Sequence, residues 1–109
     1  MPRVNSIATT ADHEALARRL AASVERGESQ LRELESNLIG AMRDHDTIQE
    51  DQDALRALVE SIRIDVRQAH RALERIADGT YGKCRECGES IAPARLDAMP
   101  AAERCARCA

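Results

Sequence analysis

Apolar residues recur at helical spacing along most of the chain. Between Ala11 and Met42 they fall at Leu16, Leu20, Val24, Leu31, Leu34, Leu38 and Met42, which puts them on one face of an amphipathic helix. Beyond Ile48 the pattern tightens. Leu55, Leu58, Ile62, Val66, Ala69, Leu73 and Ile76 follow one another by threes and fours, the heptad seam of a coiled coil. Glu60, Arg63, Asp65, Arg67 and Arg71 fill outward positions and read as a solvated face.

Two seams of similar length with a short break between them predict an antiparallel helical hairpin. Pairing Leu38 with Gln52, Leu31 with Val59, Val24 with Val66 and Leu16 with Leu73 centres the turn near residue 45, so the expected tip is Asp44-His45-Asp46. Thr47-Ile48-Gln49-Glu50 fits a capping box and predicts that the second helix starts at Thr47. Thr10 or Asp12 is suited to cap the first helix, and Gly79 to end the second. Arms of roughly 30 residues should reach about 45–50 Å. Gly27 falls on the seam and predicts a close approach of the helices. Gly40 is a weak point, and each glycine costs about 1 kcal/mol against alanine. Gln52 opposite Leu38 makes the seam poor and predicts fraying at the tip. The expected organisation is a disordered N-terminus over 1–10, a hairpin over 11–78 and a small module over 79–109.

Composition supports an elongated body. The 109 residues include no Trp, no Phe and one Tyr, and 32% of them are charged. Without the aromatics that dominate burial in cores, a compact globule is not expected. Residues 1–78 carry 11 Lys and Arg against 15 Asp and Glu, and residues 79–109 carry 5 against 4. Neither part is basic enough to hold a phosphate backbone by charge, and one tyrosine makes no stacking platform for bases, so direct sequence-specific DNA binding is not expected. The start of the chain has no signal-like apolar run, and no stretch approaches a membrane span. A cytoplasmic protein with no membrane partner is the expectation, and there thiols stay reduced.

The chemistry is concentrated at the C-terminal end. Cys84 and Cys87, then Cys105 and Cys108, give the spacing Cys-x2-Cys-x17-Cys-x2-Cys, which lies within the range of a four-cysteine zinc site. Zinc takes four thiolates in a tetrahedron, and four protein ligands leave no open position, so one structural Zn²⁺ is expected. Gly82 and Gly88 flank the first pair as a tight metal-binding turn requires. The second pair is expected on a short helix opened by Pro100. A redox dithiol is the competing reading, but the usual strand-helix setting is missing. His13, His45 and His70 lie far apart on the expected hairpin with no nucleophile beside them, so an enzyme is not expected.

The stretch Arg75-Ile-Ala-Asp-Gly-Thr-Tyr-Gly-Lys-Cys84-Arg-Glu-Cys87-Gly88 resembles the entrance to the zinc finger of the DksA/TraR family. The likeness continues through Ile91, Arg95-Leu96, Ala98, Pro100 and Cys105-x-x-Cys108. It implies a mainly α protein that binds bacterial RNA polymerase. Its coiled-coil hairpin would enter the secondary channel, its acidic tip would reach toward the active site, and it would alter initiation, often with the alarmone ppGpp. Family members carry Asp-x-x-Asp-x-Ala at the tip. Here Asp44 matches the second aspartate, Ala41 stands at the first and Asp46 at the alanine. Asp44 and Asp46 are a candidate substitute pair, with His45 between them at the contacting tip. Many relatives continue past the last cysteine into a helix that helps form a ppGpp site, so a weak or absent ppGpp response is expected. The alternative reading is a zinc-ribbon and coiled-coil adaptor that joins proteins and does not act on polymerase.

Overall fold

The computed structural model describes residues 10–44 and 48–109. Three helices follow in chain order: α1 (Thr10–Arg43), α2 (Gln49–Asp78) and α3 (Pro93–Ala98). The first two form the expected antiparallel hairpin. Thirty-four residues of α1 account for about 50 Å of helix, and the molecule measures 65 × 28 × 20 Å along its principal axes. No helix among the described residues is long and apolar enough to cross a membrane.

The register differs from the expected pairing. Val66 is centred on Gly27 rather than on Val24, and Gln52 meets Ala41 rather than Leu38. Each partner on α1 lies three positions further along. α2 also begins later than its capping-box signal suggests. Ile48 stands at the N-cap in extended conformation with no side-chain cap, and its carbonyl accepts the Asp51 and Gln52 amides. Acidic Glu50 and Asp51 in the first turn favour the positive end of the helix dipole instead. The proposed capping residue Thr47 lies outside the described residues, as do His45, Asp46 and the expected disordered N-terminus up to residue 9. Thr10 and Asp12 are already inside α1, so neither occupies the flanking cap position. Gly79 ends α2 as expected, in the left-handed region at φ 84°.

The α2 seam also shifts by one residue. Leu58 is 47% exposed, while Val59, at 2%, sits in the interface. With Val59 the steps from Leu55 to Ile76 alternate four and three without a break, which keeps the stripe facing its partner. On α1, Met42 is likewise exposed, and with Ile39 and Ile48 it surrounds the tip with apolar side chains. Gln52 is a tie between the helices, its amide donating to the Ala41 carbonyl at 3.2 Å. Arg63 with Glu35 and His70 with Glu28 bridge the flank, although exposed pairs of this kind contribute little.

Gly27 lets the helices approach closely. A Cβ built there would stand 2.5 Å from Val66 Cγ2, and a β-branched side chain has few rotamers with which to yield. Gly40 has open space around it. Gly27→Ala is therefore expected to destabilise the hairpin by about 1–2 kcal/mol through overpacking. Gly40→Ala should stabilise it by up to about 1 kcal/mol. Denaturant midpoints followed by helix circular dichroism read both, and equal signs for the two would refute the close approach.

Candidate functional site

The finger is built from two turns of the same kind. Gly82 and Gly88 take φ of 85° and 79°, and Lys83 pairs with Ser90 in an antiparallel bridge that encloses the first cysteine pair. The Cys84 amide donates to the Glu89 carbonyl at 2.8 Å, and the Gly88 amide closes the turn on the Cys84 carbonyl at 2.9 Å. The second pair does not stand on a helix. The Cys108 and Ala109 amides both reach the Cys105 carbonyl at 3.0 Å, so Cys105 and Cys108 also sit on a turn. The short helix is α3, between the pairs, with Pro93 rather than Pro100 in its first turn. Pro100 belongs to a turn in which the Ala102 amide bonds the Met99 carbonyl. Cys84, Ile91 and Cys105 are buried together, with Leu96 and Cys108 packed on them. Among the described residues, Ala102 is the one other buried apolar residue of the finger.

The four Sγ atoms of Cys84, Cys87, Cys105 and Cys108 lie within 4.8 Å of one another. Cys87 and Cys105 sulfurs stand 3.8 Å apart. A tetrahedron of thiolates at about 2.3 Å from zinc has edges of about 3.8 Å, so the arrangement fits one structural Zn²⁺. The electrostatics agree. Backbone amides of Cys105 and then Cys87 pull the Cys84 thiol down to about 6. Hydrogen bonds with the Cys105 and Cys84 sulfurs push Cys108 up to about 12. Within the tetrad the two buried thiols, Cys84 and Cys105, are thus shifted toward thiolate and Cys108 away from it. Arg107 lies against the Cys105 sulfur as an outer partner.

The finger is joined to the hairpin base by groups that the sequence did not single out. Tyr81 Oη donates to the Pro100 carbonyl at 2.7 Å, its ring meets His13 edge-on at 5.8 Å, and burial pushes its hydroxyl pKa up. Tyr81 and Ala101 pack on the basal core of Leu20, Val24, Ala69 and Ala72. Glu103 is the centre of the polar contacts. Its carboxylate takes Arg71 at 2.5 Å and Arg75 at 3.4 Å from α2, and Arg85 from the first cysteine turn at 2.8 Å. Burial alone would raise the Glu103 carboxyl, but hydrogen bonds from Arg71 and Arg85 outweigh it and hold it below the usual carboxylate range. Arg75 also donates to the Ala102 carbonyl, yet its Nε is buried without a hydrogen-bond partner among the described residues, which costs about 1–3 kcal/mol. Arg71 and Arg75, four residues apart on α2, read as solvated charges, and Arg85 lies beyond the helix, so no pattern in the sequence marked this cluster.

At the far end, Asp44 is exposed just beyond α1, and its amide caps the helix on the Gly40 and Ala41 carbonyls. His45 and Asp46 lie outside the described residues. The tip and the cysteines are thus held at opposite ends of the rod.

A helical hairpin that carries a four-cysteine zinc finger at its base is the class these features define. Residues 79–109 match the family described as prokaryotic dksA/traR C4-type zinc finger. Transcription factor DksA2 from Pseudomonas aeruginosa has a similar structure, with a TM-score of 0.77 at 25% identity over 91% of this chain and 81% of that one. The RNA polymerase-binding transcription factor DksA of Caulobacter vibrioides is 56% identical over 32 residues, 29% of this chain and 22% of its own length. General stress protein 16O of Bacillus subtilis is 35% identical over 68 residues, 62% of this chain and 42% of that protein. An uncharacterized protein of Aquifex aeolicus is 50% identical over 44 residues, 40% of this chain and 30% of that protein. The chain spans less than half the length of these sequence relatives. The finger thus carries the zinc-finger motif of the DksA/TraR family, and the whole chain is similar in fold to DksA2.

Proposed function

We propose that this chain is a DksA-type regulator that binds bacterial RNA polymerase, inserts its hairpin tip into the secondary channel and modulates initiation without reading DNA sequence. The observation that carries the proposal is the shape. A stiff two-helix rod about 50 Å long projects from a zinc finger in the arrangement of DksA2, across 91% of the chain. The uneven charge also supports it, because the hairpin is acidic overall and offers no surface for a phosphate backbone. In this reading Cys84, Cys87, Cys105 and Cys108 hold the zinc, and the tip residues Asp44, His45 and Asp46 contact the polymerase. The protein acts as a ligand of the enzyme rather than as an enzyme itself.

Pull-down with core polymerase, followed by crosslinking from position 44, tests the binding. A crosslink near the catalytic loops is expected, and an eluate without polymerase would return the chain to the adaptor reading. The acidic tip is tested separately. Asp44→Asn combined with Asp46→Asn should abolish the effect on initiation in vitro and leave polymerase affinity within about threefold, because rim charges contribute little to affinity. Full activity of the double variant would sink the tip's role while leaving the docking intact.

A further inference from the structure

We propose that Glu103 is a latch that sets the angle between finger and hairpin, and that it holds only while the neighbouring cysteine turn is in place. The inference does not depend on what the hairpin binds. Residues 101–103 link the two parts in three ways: Ala101 packs on the basal core, the Ala102 carbonyl takes Arg75, and Glu103 takes Arg71 and Arg75 of α2 beside Arg85 of the finger. This segment is short, without helix or strand, and leaves directly from the turn at Pro100. What fixes it on its C-terminal side is Cys105, two residues on, whose turn is ordered by the four sulfurs.

The charges give the latch a direction. One carboxylate, 13% exposed at its side chain, faces three guanidinia. Two of these belong to α2 and one to the finger. With the carboxylate neutralised, Arg71 and Arg75 would confront Arg85 across the joint, and like charges at close range repel even where, as for Arg71 and Arg85, they are half exposed. The joint would then open along the line between hairpin and finger. Within the finger the Arg85 amide donates to the Glu103 carbonyl at 2.8 Å, which holds Glu103 against the first cysteine turn.

Amide hydrogen exchange on zinc-loaded protein, with one zinc per chain verified by metal analysis, tests this. Glu103→Gln should speed exchange in the last two turns of α2 by at least about tenfold, as expected when Arg75, 15% exposed, loses its partner. Amides around Val59, far from the joint, should not change. Adding Arg85→Gln, or raising the salt concentration, should restore part of the protection by removing or screening the repulsion. Chelation of zinc from the unsubstituted protein should loosen the same turns of α2. Unchanged exchange in Glu103→Gln would overturn the latch. So would loosening that neither Arg85→Gln nor salt relieves, because a merely packed side chain would behave that way. Full protection of the α2 end after chelation would overturn its dependence on the cysteine turn.

Discussion

Removal of zinc is expected to unfold residues 80–109 while the hairpin keeps most of its helicity. The finger buries Cys84, Ile91 and Cys105 with two partners and contributes only Tyr81 and Ala101 to the larger core. Apolar burial on that scale cannot offset the conformational entropy of about 30 residues, at roughly 1–2 kcal/mol each for the backbone alone. The deficit must be met by the metal, which supplies about 10–16 kcal/mol in small zinc-binding peptides. The distal hairpin has its own interface, from Leu55 and Val59 through Val66 against α1, and needs nothing from the finger. Circular dichroism should therefore lose little helical signal on chelation. Trypsin should begin to cut at Lys83, Arg85, Arg95, Arg104 and Arg107, which the folded finger protects. A tryptic pattern that chelation does not alter would mean that the module folds without its metal.

The second large effect concerns the interface itself. Leu20→Ala should destabilise the hairpin by about 2–4 kcal/mol, because it removes a buried side chain and leaves a cavity among rigid neighbours. Leu58→Ala changes the same atoms but should cost less than about 1 kcal/mol, since Leu20 is 6% exposed and Leu58 47%. Against a total stability of about 5–15 kcal/mol, the first substitution should move the urea midpoint visibly and the second hardly at all. Equal costs would place Leu58 in the seam after all and reverse the register described here.

How far the chain could be read in advance follows from which interactions are local. The four ligands and the first cysteine turn were legible because a tetrahedral ion accepts few spacings, and Gly82 and Gly88 mark the bends on either side of the first pair; the turn at Cys105 was not, since a helix was expected there. The hairpin was legible from two apolar stripes and a stop at Gly79. Its register was not. Leu58 and Val59 are adjacent and both apolar, and only the uninterrupted alternation of fours and threes through Val59 decides between them. The short helix was placed at Pro100 because Pro-Ala-Ala-Glu is a plausible helix start. Pro93 begins the same kind of segment, and the chain after Pro100 must instead bend into the cysteine turn. The Glu103 cluster escaped because its partners, Arg71, Arg75 and Arg85, lie up to 32 residues away, and ion pairs between distant residues leave no periodic trace. Tyr81 stood in the family motif, but its clasp on the Pro100 carbonyl is a tertiary contact.

The separation of joint and tip has a mechanical consequence. A tilt of roughly 5° where the finger meets α2 swings the end of a rod about 50 Å long through about 4 Å, more than the length of a hydrogen bond. Whatever aims Asp44 must therefore be rigid at the opposite end of the molecule. The hairpin works as a lever whose pointing accuracy is set at its fulcrum, and substitutions around Glu103 and Tyr81 would mis-aim the acidic end without touching it.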